Sequence, residues 1–146
     1  METTIPRTSP SPSHTESKSA LDHRCIRDEV RAASETWIAA FNRGDVQEMV
    51  AGYEADAEMV AAPEGVFKGR GAIRGFWRSL LIDGDPGELA YENVAIEVED
   101  RDTAHLAASW RMTRFGCGVI TRETWVRGSS GRWQLREDHF EVVEVF

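Results

Sequence analysis

The sequence predicts an α+β fold, a cone-shaped roll in which three N-terminal helices pack in a strongly curved mixed or antiparallel β-sheet. Three observations predict it. Apolar residues recur at helical spacing as far as Phe41 and again from Ile73 to Leu81. From Glu88 to the C-terminus the period is two. Glycine- and proline-bearing turns separate the stretches at Gly44-Asp45, Pro63-Glu64-Gly65, Asp83 to Gly87 and Gly128 to Gly131.

The elements follow in order. Residues 1–20 hold nine Ser or Thr and three of the five prolines, which predicts a disordered tail ahead of a single domain over residues 21–146. Between Leu21 and Asn42, Ile26, Val30, Ala33, Trp37 and Phe41 share one face of an amphipathic helix. Gly44 ends it as a left-handed cap. Asp45, with Glu48 three places on, then opens a short second helix that runs to about Tyr53. Glu58 to Ala62 and Val66 to Lys68 read as a small hairpin. Ile73, Phe76, Trp77, Leu80 and Leu81 define the third helix.

Four strands complete the chain. Leu89 and Tyr91 alternate in one phase and Val94, Ile96 and Val98 in the other, which predicts a bulge near Glu92 or Asn93. Thr103 to Arg114 sets Ala104, Leu106, Ala108, Trp110 and Met112 on one face, with His105 outward. A turn over Phe115 to Gly118 leads into Val119 to Arg127, and Gly128 to Gly131 into Arg132 to Val145.

Composition excludes several classes. With 146 residues, 41 % hydrophobic content, five Trp and six Phe, the chain can close one core. Its 25 acidic residues against 17 basic ones give a formal charge of -8, so a nucleic-acid surface is not expected. Cys25 and Cys117 lack companions at metal-ligand spacing, so no metal site or disulfide framework is expected, and Cys117 reads as an exposed thiol. No apolar run suits a secretory leader or a membrane span, and a cytoplasmic location is the default expectation.

The order Trp37 to Gly44-Asp45, Tyr53 to Ala57, Gly69-Arg70 to Trp77, and the closing hairpin from Arg122-Glu123-Thr124-Trp125 to Trp133 and His139 resembles the nuclear-transport-factor-2-like superfamily. Within it, the SnoaL-like and ketosteroid-isomerase-like bacterial members are the nearest in pattern. The resemblance spans roughly residues 24 to 144 and implies a ligand pocket inside the cone. Against the steroid-isomerase pattern, Trp37 stands where that family has its oxyanion-donating tyrosine, and Ala61 or Ala62 where it has its first-strand base. Glu123 falls where it keeps a second, protonated carboxyl. Against the limonene-epoxide-hydrolase pattern, Asp138 matches an inward catalytic aspartate, while Met59, Ala61 and Ser109-Trp110-Arg111 replace the other polar groups.

A hairpin centred on Ser129-Ser130 would place Glu123 opposite Arg136 and Thr121 opposite Asp138. Glu123 and Asp138 would then be diagonal neighbours about 7–8 Å apart, with Arg136 between them. These three are the candidate catalytic residues. Two acids and an arginine in a partly dry cavity can divide into a general acid and a general base. The plainer alternative is a cross-strand Glu123–Arg136 ion pair with Asp138 solvated. His139 falls on the opposite face as an interface or hydrogen-bonding residue. Trp37, Phe41, Tyr53, Met59, Trp77, Trp110 and Phe140 are the candidate ligand-binding residues, with Trp37, Trp110 and Phe140 foremost.

Two functions follow from these residues. One is a cofactor-free acid-base enzyme, an isomerase, cyclase, dehydratase or epoxide hydrolase, acting on a small apolar or polycyclic substrate. The other is a non-catalytic ligand-binding or dimerisation module. Either predicts a homodimer through an outer sheet face carrying Ile120, Val126, Trp133, Leu135 and Val143.

Overall fold

The structure, a computed structural model, describes residues 18–146, and the expected N-terminal tail lies outside the described residues except for its last three positions. Those three belong to helix α1, Lys18–Arg43, which starts earlier than its apolar stripe because Lys18, Ser19 and Ala20 carry no helix breaker. The stripe buries Ile26, Val30, Trp37, Ala40 and Phe41. Gly44 closes the helix at φ 72°, a left-handed conformation that a side chain would oppose. Asp45 caps α2, Val46–Ala51, by accepting from the Glu48 amide at 3.0 Å.

Strand β1, Tyr53–Ala62, begins at the residue expected to end α2. The reason is local. The Leu135 amide donates to Gly52 O at 2.8 Å, so the chain joins the sheet as soon as α2 ends. Strand β2, Gly65–Lys68, folds back on β1, and α3, Gly69–Asp83, turns Ile73 and Trp77 into the core. Strands β3, Leu89–Asp100, β4, Thr103–Met112, β5, Gly116–Arg127, and β6, Trp133–Val145, complete a six-stranded sheet in the order β2-β1-β6-β5-β4-β3. The β1–β6 pair is parallel and the other neighbours are antiparallel, so the sheet is mixed. It is curled without closing into a barrel.

Curvature arises where ladders slip. On β3 the register shifts between Glu92 and Ala95, and Asn93 sits at φ 56°, which is the bulge that the two alternation phases require. The β4 alternation is also as expected: Ala104, Leu106, Ala108, Trp110 and Met112 are buried against the helices. Fully burying side chains such as Leu106 or Met59 stabilises the fold by roughly 1.5–3 kcal/mol each, and α1 and α3 supply the opposing surface.

Three surface expectations are corrected. Ile120, Val126, Trp133 and Leu135 are buried within the single chain, leaving only Val143 of that expected dimer-forming set exposed. The length of α1 explains Trp133, whose indole donates to Glu29 Oε1 at 2.8 Å. Cys117 is half-buried inside β5, because the β4–β5 turn falls at Thr113 to Phe115, ahead of the expected turn. His105 is not a free surface side chain, since it lies 3.1 Å from Thr124 Oγ1 and 2.6 Å from Glu99 Oε1.

Candidate functional site

Two bulges on the β5–β6 hairpin create the site. Ile120 pairs with Phe140 and Trp125 with Leu135, but between them Arg122, Glu123 and Thr124 pair with His139, Asp138 and Glu137. Thr121 on β5 and Arg136 on β6 are the residues left over, one on each strand. Each extra residue reverses the side-chain alternation of its strand. Glu123 and Asp138 therefore both point inward and face each other directly, at 2 % and 3 % exposure.

This register corrects the expected diagonal arrangement and removes Arg136 from it. Arg136 is exposed, and its guanidinium donates to Glu54 Oε1 at 2.9 Å on the outer side of β1. The acids are held instead by neutral donors. Tyr53 donates to Asp138 Oδ2 at 2.6 Å, and Trp77 Nε1 donates to the Tyr53 oxygen at 3.1 Å. Across the sheet, Tyr91 donates to Glu123 Oε2 at 2.7 Å and Trp125 Nε1 to Glu123 Oε1 at 2.9 Å. Arg70, at the start of α3, fixes Tyr53 by donating to its carbonyl from Nε at 2.9 Å and from Nη2 at 2.6 Å.

Burial dominates the electrostatics. It pushes Glu123 up to about 8, reinforced by the charge of Asp138 and opposed by the Tyr91 and Trp125 hydrogen bonds. Asp138 rises only to about 6, because the Tyr53 hydrogen bond and then His139 oppose its burial. Burial and the neighbouring carboxylates hold Tyr53 and Tyr91 well above the usual phenol value, so both keep their protons. Between those two values the pair carries one carboxylate and one carboxylic acid.

The expected ligand-binding residues divide into groups. Trp37, Trp77, Trp110 and Phe140 line a small cavity of about 20 Å³ at Asp138, together with Tyr91, Leu89, Met112 and Ile120. Tyr53 meets it through its bond to Asp138. Phe41 and Met59 are core residues: Phe41 packs against Trp37 and Trp77, and the Met59 sulfur lies 3.9 Å from the Tyr53 hydroxyl. Outside the small cavity, a groove of about 740 Å³ between α3 and strands β4 and β6 shares Trp77, Trp110, Met112 and Phe140 with it. Trp77 and Phe140 stack at 5.8 Å, forming a wall between groove and cavity.

His139 pairs with Arg122 across the hairpin, and its Nε2 approaches Glu58 Oε1 at 3.4 Å, consistent with a place on the face opposite the acids. Two participants escaped the sequence reading, Tyr91 and Trp125. Each carried a signal. Tyr91 shares the inward phase of Leu89, and Trp125 lies two residues from Glu123 on one strand face. Among the described residues no three His, Cys, Asp or Glu side chains gather as a metal site.

The fold has clear counterparts. An NTF-2-like protein of unknown function from Shewanella oneidensis superposes with a TM-score of 0.68 at 19 % identity, over 80 % of this chain and 98 % of that one. A ketosteroid isomerase-like protein from Erwinia carotovora atroseptica gives 0.65 at 16 %, over 80 % and 95 %. A protein from Novosphingobium aromaticivorans, provisionally named a scytalone dehydratase, gives 0.63 at 14 %, over 84 % and 87 %. No curated protein matches the sequence. The SnoaL-like domain family matches residues 34–146, which contain the curled sheet, α3 and both acids, and the chain belongs to that family.

Proposed function

We propose that the protein is a cofactor-free acid-base enzyme that moves a proton at carbon in a small apolar substrate, the chemistry of isomerisation or dehydration. The observation that carries this reading is the facing, buried pair Glu123 and Asp138, of which Asp138 lines a cavity that adjoins an apolar groove, while Glu123 reaches that cavity through Tyr91. Asp138 is the base. Tyr53 occupies its Oδ2, which leaves Oδ1 to accept the proton. Protonated Glu123 can donate to the Tyr91 oxygen, freeing the Tyr91 hydrogen to polarise a substrate carbonyl or leaving hydroxyl. The substrate reaches Asp138 from the groove when the stacked Trp77 and Phe140 rings part.

A second reading, a binding module without chemistry, is favoured by the small size of the Asp138 cavity, about 20 Å³. That volume holds about one water molecule. Deuterium exchange separates the two. A panel of cyclic and aryl ketones in deuterium oxide is followed by proton NMR with the wild type and with Asp138→Asn. Catalysed exchange next to the carbonyl that vanishes in Asp138→Asn supports the enzyme. Its rate rises as Asp138 ionises near about 6 and falls as Glu123 ionises near about 8. Exchange equal in both proteins, alongside saturable ketone binding, establishes the binding module.

A further inference from the structure

A second hollow, of about 200 Å³, shares Trp37 with the cavity at Asp138 but is otherwise built from different residues. Ala33, Thr36 and Trp37 of α1 form one side, Glu48 and Gly52 the next, and Trp125, Arg132 and Trp133 of the closing hairpin the third. Three of the five tryptophans in the chain therefore line one small space.

Their polar atoms are all committed elsewhere. An indole has one donor and no acceptor. Trp37 donates to Met49 O at 3.2 Å, Trp125 to Glu123 Oε1 at 2.9 Å and Trp133 to Glu29 Oε1 at 2.8 Å. Ring carbon is what remains to face the hollow. Gly52 lets the chain pass close to the Trp37 ring on this wall: its φ of -76° suits any residue, so the backbone does not demand glycine there. A Cβ at that position would lie 3.1 Å from Trp37 Cδ1, a tight contact on the wall of the hollow.

Charge at this site is balanced. Glu48 and Arg132 face each other at 3.5 Å, and their side chains are 41 % and 49 % exposed, which places them at the solvent end. An anion would meet Glu48, and an organic cation drawn to the indole faces would meet Arg132. An uncharged ring meets neither penalty. For scale, a dry apolar cavity of about 150 Å³ takes up benzene.

We propose that this hollow, which borders the acid pair through the Trp125 bond to Glu123, is a binding site for an uncharged single-ring aromatic molecule that needs no catalysis at that pair. The indole N–H signals of the full-length protein report on it. Toluene is titrated into ¹⁵N-labelled protein and the five indole resonances are followed. Saturable shifts of Trp125 and Trp133, with a dissociation constant of about 1 mM as befits so small a ligand, are expected. Ala33→Leu and Thr36→Phe, each checked for native circular dichroism, should weaken those shifts about tenfold by occupying the space. Asp138→Asn should leave the dissociation constant read from Trp133 unchanged, whatever its effect on exchange chemistry, because the Trp133 indole donates to Glu29 and not to the acid pair.

Shifts confined to Trp77 and Trp110 would mean that toluene prefers the groove, and the proposal falls. It falls equally if tetramethylammonium moves Trp125 and Trp133 at lower concentration than toluene, if no shift saturates, or if both filled variants bind as the wild type does. Should neither variant fold, the wild-type pattern of shifting indoles decides alone.

Discussion

Replacing Glu123 with Gln tests which acid holds the proton, and the expected effect can be worked from its environment. Burial and the facing Asp138 raise Glu123 from 4.5 to about 8. Between these values the unfolded chain has lost a proton that the folded chain keeps. The unfolded state therefore binds fewer protons, and stability falls as pH rises, by about 1.4 kcal/mol per pH unit. The contribution of this carboxyl is fully present below pH 4.5 and is lost as pH climbs through about 8. From pH 5 to 7 the wild type gives up roughly 3 kcal/mol through this one group.

Glutamine has the shape and hydrogen-bonding capacity of the protonated acid. Its carbonyl can accept from Trp125 Nε1, and its amide can donate to the Tyr91 oxygen. Urea unfolding at several pH values should therefore find Glu123→Gln within about 1 kcal/mol of the wild type at pH 5 and more stable by roughly 3 kcal/mol at pH 7. Asp138 adds a pH slope to both proteins, so the difference between them isolates Glu123. A difference that stays constant from pH 5 to 8 would refute the reasoning. So would a glutamine variant less stable at neutral pH, because Glu123 would then be ionised in the fold and held by its two donors.

Further outcomes follow from single contacts. Tyr53→Phe removes the hydrogen bond that lowers Asp138, so the low-pH limb of catalysed deuterium exchange should move to higher pH, with about 1–3 kcal/mol of stability lost in urea. Arg136→Ala breaks only an exposed ion pair with Glu54, and should change stability by about 1 kcal/mol or less while leaving the exchange rate unaltered. Gly118→Ala would drive a methyl into the Glu141 carbonyl and towards the Trp110 ring, so its urea midpoint should drop by the equivalent of about 2 kcal/mol or more.

The helices and the cone were legible because their signals are local. The apolar stripe of α1, the Gly44 stop and the Asp45 cap each lie within a few residues of the backbone they shape. The inward face of β4 was legible for the same reason, and with it the place of Trp110 on the cavity wall. What joins Tyr53 to Asp138 is different, since the pair is 85 residues apart and depends on Arg70 gripping the start of β1. A donor on one strand and an acceptor on a distant one leave no periodic trace, so Tyr53 could be read as a ring but not as the partner of an acid. Tyr91 and Glu123, 32 residues apart, were hidden in the same way.

The pairing of the two acids depends on a feature that alternation conceals. Without bulges, the Trp125–Leu135 register carried toward the open end of the hairpin would set Glu123 against Glu137 and turn Asp138 outward. Arg136 and Thr121 prevent this. The extra residue on β6 brings Asp138 inward opposite Glu123, and the extra residue on β5 then restores the Ile120–Phe140 pairing beyond them. Both bulged side chains are polar and exposed, as any outward strand residue would be, so hydropathy does not distinguish them. The bulges confine the altered register to three residue pairs and leave the aromatic wall on either side, Phe140 and Trp125, facing the core. A cross-strand Glu–Asp pair is an electrostatic liability in a plain ladder. Here the offset bulges enclose it and four neutral donors, Tyr53, Trp77, Tyr91 and Trp125, hold it in place directly or through one another, an arrangement suited to keeping one of the two carboxyls protonated.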